Sequence, residues 1–299
     1  MEEKKLFKQT PHPYYPILED EVIKVLVDKH GEDHVVNLIK KRERSIMLSL
    51  VDPLNAGFEL DPWKDARDLY AECDELLILG GNRAGKTEFA AKLVVETLIK
   101  KPKSVVWCFH SSLPSSVEIQ QPIIRKYLPP SWRDVGKKGS TTNISWTDKN
   151  GFSDQVFVTP RGSRCRFLNY TQNISVLEGG ECDLIWADEL IPLEFLQTLR
   201  FRVTTRYGKI VLTFTPIRGY SPVVKEFISG ARVIKSLPAP LLEQEAIHVQ
   251  GCPPGEMPYM MQPFRKNARV ISFHGSMNPF GGFEQVVRML ENKPTTDIK

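Results

Sequence analysis

Residues 80–87 combine glycine, lysine and threonine in a spacing that can hold the phosphates of a nucleotide. The segment reads Gly80, Gly81, Asn82, Arg83, Ala84, Gly85, Lys86 and Thr87, a complete G-x-x-x-x-G-K-[ST] pattern. Successive backbone N–H groups can curl around phosphate oxygens when Gly80 and Gly85 carry no side chain. Lys86 would then reach the β- and γ-phosphates, and the Thr87 hydroxyl would bind Mg²⁺. The segment therefore predicts a nucleotide site with a bound Mg²⁺ ion.

The sequence on either side of this loop predicts a strand and then a helix. The apolar run 76–79 precedes the loop, and apolar residues recur at helical spacing from Phe89 to Leu98. Such a helix directs its positive dipole end and its unpaired N–H groups toward the bound phosphates. A glycine-rich turn without a ligand is the alternative interpretation, and the flanking elements favour the phosphate loop.

Two acidic residues follow a second apolar run. Residues 184–187 predict a buried strand that ends in Asp188 and Glu189. Ligands of open α/β sheets bind at the carboxyl ends of the strands. ATP hydrolysis needs a carboxylate near Mg²⁺ and a group that orients water. We therefore assign Asp188 to Mg²⁺ and Glu189 to the attacking water, with solvated acids at the end of an ordinary strand as the alternative.

The long separation between Lys86 and Asp188 leaves room for another strand between the two motifs, both in the sequence and in the sheet. This arrangement is typical of phosphate-loop ATPases that use a catalytic glutamate. A GTPase should carry Asn-Lys-x-Asp to read guanine, but Asn292 and Lys293 are followed by Thr295 in the place of the aspartate. ATP is therefore the expected nucleotide.

Two threonines end the next predicted strand. Thr213 and Thr215 belong to the segment Thr-Phe-Thr-Pro, which follows the β-favouring run that begins at Lys209. A hydroxyl at this place could sense the γ-phosphate and transmit its loss. Threonine also occurs in strands without any such role, so the surrounding motifs decide between the two interpretations.

The rest of the chain alternates strands with helices. This alternation predicts an α/β fold of the P-loop NTPase type, with a mostly parallel sheet flanked by helices. An N-terminal helical arm over residues 1–60 would precede an ATPase domain over residues 61–299. Further strands are predicted at 104–109, 144–147, 156–159, 165–170, 183–187, 209–214 and 269–273. Further helices are predicted at 17–50 (in two parts, broken near Gly31), 62–70, 114–127, 193–201 and 282–290, with a long excursion at 238–263.

Composition argues against several other classes of protein. No stretch has the ~20 consecutive apolar residues of a membrane span, and the N-terminus lacks a signal-peptide run. We therefore expect a cytoplasmic protein without membrane contact. The five cysteines form no C-x-x-C pair, which argues against disulfides and zinc. His30 and His34 lack a further ligand nearby in the sequence, and the formal net charge of +4 neither demands nor excludes nucleic acid.

Together these motifs resemble the ATPase half of large terminase subunits, the DNA-packaging motors of tailed bacteriophages. The resemblance extends from about residue 70 to about residue 290 and includes the later segment Met277-Asn278-Pro279. It implies that Lys86 and Thr87 bind ATP and Mg²⁺ and that Asp188 and Glu189 complete catalysis. It also implies that Thr213 and Thr215 form the coupling motif. Arg83 matches the arginine that many terminases carry in this loop and is assigned to catalysis.

The resemblance further implies the assembly in which the chain works. The expected partners are double-stranded DNA, a portal protein and a small terminase subunit, with the chain in a homo-oligomeric ring in the cytoplasm of the bacterial host. Ring motors of this kind complete each site with an arginine from the neighbouring subunit. Arg202 and Arg206 are favoured because they follow the catalytic strand and its helix. The other candidates for this arginine are Arg161, Arg164 and Arg200.

Two features depart from the family pattern. A nuclease domain is not expected in this chain, because the sequence stops near the place where that domain would begin. Residues 62–65 offer no glutamine to read adenine, and Trp63 or Tyr70 could stack on the base instead.

Three other functions stay open. A helicase or replication-loading ATPase would need a second motor domain or an arginine-bearing sensor region, neither of which is evident. A small-molecule kinase would use residues 238–263 as a lid over its acceptor. A nucleotide-dependent scaffold would bind ATP tightly with negligible hydrolysis.

Overall fold

The computed structural model describes residues 7–133, 144–177, 179–215, 221–228, 232–236, 267–280 and 287–288. Contacts divide the chain into two units, Met1–Phe58 and Glu59–Lys299. Over the described ranges, no helix is both long enough and apolar enough to cross a bilayer.

The first unit contains two helices, α1 (Asp20–His30) and α2 (Glu32–Val51). Gly31 separates them with φ 84° and ψ 157°, a conformation that is essentially open only to glycine. Ile23 of α1 and Val35 of α2 belong to one buried apolar cluster. The two helical patterns that the sequence predicts on either side of Gly31 are confirmed.

The second unit is built on an eight-stranded sheet and a small hairpin. In chain order the strands are β1 (Glu75–Gly80), β2 (Val105–His110), β3 (Trp146–Thr147), β4 (Gly151–Phe152), β5 (Val156–Val158), β6 (Arg164–Asn169), β7 (Leu184–Asp188), β8 (Lys209–Phe214), β9 (Arg232–Ser236) and β10 (Ala268–Phe273). The order across the sheet is β5-β6-β2-β7-β8-β1-β10-β9. Every neighbouring pair is parallel except β5 with β6.

Helices cover this sheet. They are α3 (Asp61–Glu72), α4 (Lys86–Lys100), α5 (Leu113–Ser115), a π-helical stretch (Ser116–Gln120), α6 (Gln121–Tyr127), α7 (Leu193–Thr204) and α8 (Pro222–Ile228). Single 3₁₀ turns lie at Pro130–Trp132, Ser153–Gln155, Ile174–Leu177 and Gly275–Met277. Helix α4 packs across β1, β2, β7 and β8. Apolar residues of α7 and α8 join the alternate residues of the same strands in one large buried cluster. The predicted α/β class with a mostly parallel, helix-flanked sheet is confirmed.

The structure corrects two details of the sequence analysis. The strand predicted at 144–147 is reduced to β3, which pairs only with β4 because the two form a hairpin outside the main sheet. Strand β9 was not predicted, since its Val233-Ile234 pair is too short an apolar run to stand out. The segment at 156–170 supplies the antiparallel edge strand β5 and the parallel strand β6. The excursion predicted at 238–263 lies outside the described residues, as does most of the helix predicted at 282–290.

A close backbone contact connects the turn after α7 to the start of β7. Gly208 donates its N–H to the Val203 carbonyl at 2.8 Å. A Cβ atom at Gly208 would lie 2.3 Å from the Cys182 carbonyl oxygen and 3.0 Å from the Asp183 carbonyl carbon. Backbone atoms cannot yield as a flexible side chain can. The turn therefore requires glycine at this position.

We predict that Gly208→Ala lowers the free energy of unfolding by about 1–3 kcal/mol, the usual effect of forcing an extra carbon into a packed region. Equilibrium urea unfolding measures this loss. Gly275→Ala is the matched control, because a Cβ at Gly275 would meet no described atom within 4 Å. Equal losses for the two variants would contradict the steric explanation.

Candidate nucleotide-binding site

The predicted phosphate loop lies between the end of β1 and the start of α4. Gly85 has a φ of 88°, and Arg83 has a φ of 60°. A Cβ at Gly80 would lie 2.5 Å from the Phe273 carbonyl oxygen, and a Cβ at Gly85 would lie 2.9 Å from the Leu60 side chain. Gly80 is thus required by a backbone contact within the protein and Gly85 by its left-handed backbone, and the contact of Gly80 was not anticipated by the sequence analysis.

The Lys86 ammonium is buried beneath the loop, with 8% of the residue exposed. Its Nζ donates to the carbonyl oxygens of Gly80 and Gly81, both at 2.8 Å, and to Thr215 Oγ1 at 3.0 Å. Burial lowers the pKa of Lys86, while the charges of Asp188 and Glu189 act in the opposite direction. A lysine has three N–H donors. All three are engaged with the loop and with the end of β8.

The Asp188 carboxylate is buried at the carboxyl end of β7. Thr213 Oγ1 donates to Asp188 Oδ1 at 2.7 Å, and the Tyr170 hydroxyl donates to the Asp188 carbonyl at 3.1 Å. The pKa of Asp188 is raised to about 7, mainly by burial and also by the Glu189 charge. The Thr213 hydrogen bond and the Lys86 charge lower the pKa but do not cancel these effects. The ionised form of Asp188 is therefore supported first by the Thr213 hydrogen bond and then by the Lys86 charge.

Glu189 differs from its neighbour in exposure and in backbone shape. Its side chain is exposed, and its φ is 66°, in the left-handed region. Such a backbone costs a non-glycine residue about 1–3 kcal/mol, and residues strained in this way cluster at functional sites. The Glu189 N–H donates to the Thr213 carbonyl at 2.8 Å, which helps to hold this conformation. The carboxylate is thereby directed away from the sheet, toward solvent.

The two threonines predicted as a coupling motif have different contacts. Thr213 is fully buried and bonded to Asp188. Thr215 is partly exposed, accepts from Lys86 and donates to Asn82 Oδ1 at 3.3 Å. Only Thr215 is open to a phosphate sensed directly. Thr213 contacts the carboxylate instead.

The sheet order brings these groups together. Because β8 lies between β1 and β7, its carboxyl end touches the phosphate loop on one side and the acidic strand on the other. A cleft of about 160 Å³ lies over the loop and is lined by Arg83, Ala84, Gly85, Lys86, Thr87, Glu88 and Asn278.

Asn278 is a member of this site to which the sequence analysis gave no separate role. Its Nδ2 donates to the Arg83 carbonyl at 2.6 Å, and its Oδ1 accepts from the Phe280 N–H at 3.1 Å. The contact fixes the left-handed turn of the loop from outside. The segment Met277-Asn278-Pro279 in the family resemblance was the only sequence signal for it.

The residues present fit a nucleotide with Mg²⁺. The loop offers a buried ammonium and a helix N-terminus, which together suit an anion. The Thr87 hydroxyl lines the cleft, and the Asp188 carboxylate interacts electrostatically with Lys86 at the same edge of the sheet. Hydroxyl and carboxylate oxygens are hard ligands of the kind that Mg²⁺ binds.

Arg202 and Arg206 lie near the amino end of β7, whereas the phosphate loop lies at the carboxyl ends of the strands. Arg206 Nη1 pairs with Asp183 Oδ2 at 2.5 Å, just before the start of β7. At about 3.3 Å per residue, Asp183 and Asp188 are separated by roughly 16 Å along the strand. Among the residues the structure describes, the Arg202 guanidinium has no ion pair, and its buried Nε has no hydrogen-bond partner. Both arginines are too far from the phosphate loop of their own chain to act there.

Arg200 and Arg161, two of the other candidates for the arginine, have structural contacts, as do the two aromatic candidates for base stacking. Arg200 pairs with Glu75 at 2.7 Å, and Arg161 donates to the Ile99 carbonyl. Trp63 is buried next to Gly85, and its ring lies 6.2 Å from Phe89. Tyr70 lies beside Lys209, at the start of β8. Neither ring presents an open face to a base over the loop.

Comparison with known proteins agrees with this arrangement. The family model "Terminase large subunit, T4likevirus-type, N-terminal" matches residues 77–263, more than half of the chain. No curated protein matches the sequence. The large terminase ATPase domain of Thermus phage P74-26 is similar in structure, with a TM-score of 0.53 at 15% identity, over 82% of this chain and 92% of that chain.

A second solved structure extends the comparison. The large terminase of another thermophilic bacteriophage matches with a TM-score of 0.51 at 12% identity, over 79% of this chain and 51% of that chain. The present chain thus spans about half the length of that terminase. The likeness to these structures establishes the fold, and the family model establishes the family. The chain belongs to the phage large terminase subunits and corresponds to their N-terminal ATPase domain.

Proposed function

We propose that this chain is a Mg²⁺-dependent ATPase that couples hydrolysis to the translocation of double-stranded DNA into a procapsid. The observation that supports the proposal best is the chain of contacts at the carboxyl ends of β1, β8 and β7. Lys86 donates to Thr215 after β8, and Thr213 of β8 donates to Asp188, so this segment connects the ammonium to the carboxylate. An ammonium that lines a phosphate-sized cleft and a carboxylate two strands away, at the same ends of the strands, are parts that phosphoryl transfer needs.

Each site residue has a proposed role. The loop from Gly80 to Gly85 and the start of α4 bind phosphate through backbone N–H groups, with Arg83 at the mouth of the cleft. Thr87 and Asp188 hold Mg²⁺, which supplies charge neutralisation to the phosphate oxygens. The exposed Glu189 carboxylate orients the attacking water and accepts its proton.

The contacts of Lys86 suggest how hydrolysis reaches the rest of the protein. Because its three N–H donors are engaged, a phosphate oxygen can bind Lys86 only by replacing Gly80, Gly81 or Thr215 as the acceptor. When nucleotide binds, replacement of Thr215 as the acceptor frees the end of β8. When nucleotide is released, Lys86 bonds Thr215 again. We propose this exchange as the coupling event.

The assembly follows from the family. We propose a homo-oligomeric ring in the bacterial cytoplasm, bound to a portal protein and a small terminase subunit, with residues 1–60 as an N-terminal helical arm. DNA would be held mainly through its phosphates, which makes binding sensitive to salt and indifferent to sequence. Arg202 or Arg206 would act on the site of a neighbouring subunit.

We predict that Lys86→Ala abolishes ATP binding, because it removes the charge that faces the β- and γ-phosphates and leaves the loop carbonyls and Thr215 without their donor. Isothermal titration with a non-hydrolysable ATP analogue measures the affinity. Lys100→Ala is the control, since Lys100 lies on the same helix with its side chain 74% exposed. ATP affinity at the parent level in Lys86→Ala would contradict the assignment.

Glu189→Gln should retain ATP binding and reduce turnover by about 10²–10⁴-fold, the usual contribution of a general base. Phosphate release under single-turnover conditions measures the chemical step. Glu72→Gln, at an exposed position at the end of α3, is the matched control. If Glu189→Gln hydrolyses ATP at the parent rate, another group activates the water.

A mixing experiment tests the arginine that acts in trans. Arg202→Ala and Arg206→Ala are each mixed with Glu189→Gln, and ATP turnover is measured with duplex DNA at rising protein concentration. The true finger variant should be nearly inactive alone, by about 10³-fold or more, and regain turnover in the mixture. A mixture of Lys86→Ala with Glu189→Gln should stay inactive, because each variant lacks a residue of its own site that a neighbouring subunit cannot supply. Absence of rescue for both arginines would exclude them as fingers.

A further inference from the structure

Trp186 lies in the middle of β7 and makes a polar contact that its apolar neighbours cannot make. The residue is fully buried. Its Nε1 donates to Thr213 Oγ1 at 2.8 Å, and Thr213 Oγ1 donates to Asp188 Oδ1 at 2.7 Å. The three side chains therefore form one buried series of hydrogen bonds, from an indole to a carboxylate.

The direction of these bonds is fixed by chemistry. An indole N–H can only donate, and a hydroxyl carries a single hydrogen. Since the Thr213 oxygen accepts from Trp186, its own hydrogen is available to Asp188. The indole thus holds the hydroxyl in the rotamer and orientation that serve the carboxylate. Without the indole, the Thr213 hydrogen could turn toward another acceptor.

The backbone sets the three residues at the right places. Asp188 and Thr213 are direct register partners in neighbouring parallel strands. Trp186 precedes Asp188 by two residues, so both side chains lie on the same face of the sheet. A tryptophan at 186 is therefore positioned to reach the hydroxyl at 213, and a smaller apolar residue would fill the strand without reaching it.

We infer that Trp186 is a positioning residue of the Mg²⁺ site, which acts through Thr213 to fix the Asp188 carboxylate. The inference rests on the proposed function, because it takes Asp188 as the ligand of the cation. Groups that orient a metal ligand in this way typically account for about 10–100-fold in metal affinity.

The test measures Mn²⁺ binding to the protein–ADP complex by electron paramagnetic resonance, a readout independent of turnover. Thr213→Val removes the hydroxyl at nearly constant volume, and Thr213→Ser keeps it. Trp186→Phe removes the N–H donor, and benzothienylalanine in place of Trp186 keeps the bicyclic shape without the N–H. Trp107→Phe is the matched control, since Trp107 is a buried tryptophan of the adjacent strand β2. ADP affinity in EDTA checks that the loop is intact.

The inference predicts Mn²⁺ affinity weakened by about tenfold or more in Thr213→Val and in both Trp186 variants. Thr213→Ser and Trp107→Phe should bind Mn²⁺ like the parent, and ADP affinity in EDTA should be unchanged throughout. Parent-like Mn²⁺ affinity with benzothienylalanine at 186 would overturn the role of Trp186, whatever Thr213→Val shows. A parent complex that binds ADP but no Mn²⁺ would instead overturn the assignment of Asp188 in the proposed function.

Discussion

The position of β8 between β1 and β7 is the constraint on which the candidate site depends. Parallel register aligns Phe214 with Leu79 on one side and Thr213 with Asp188 on the other. The phosphate loop and the acidic strand end, far apart in sequence, are thereby held on either side of one short segment. The hydroxyls of that segment contact both. A change in the position of the end of β8 would therefore alter the contacts of both the ammonium and the carboxylate.

Burial gives the two ionisable groups of the site their character. Lys86 and Asp188 are both removed from water, which lowers the pKa of the lysine and raises that of the aspartate. Each charge is therefore sustained by specific partners rather than by solvent. Three acceptors surround the lysine, and Thr213 serves the aspartate. A ligand that replaces or joins these partners meets an ammonium and a carboxylate that are already positioned and already desolvated. Such a site is preorganised.

The sequence predicted the class of fold, because alternating strand and helix patterns and two motifs at strand ends are local signals. It also placed Lys86 and Asp188 at one edge of a sheet. It did not reveal that Gly80 contacts the carbonyl of Phe273, that Asn278 holds the loop, or that Trp186 bonds Thr213. These contacts join residues distant in the chain, and their geometry depends on packing that no local pattern encodes. In the sequence, Trp186 was simply one apolar residue in a buried run.

At Glu189, the left-handed backbone lowers stability, while the side chain is the one proposed to act in hydrolysis. Glycine would relax this turn, since it alone adopts such angles without steric penalty, but it would delete the carboxylate. Under the catalytic role proposed for Glu189, selection for heat resistance alone would favour inactive chains, whereas selection for activity would preserve the strained residue. The left-handed residue just after β7 is therefore a position where a design for higher stability should keep the glutamate.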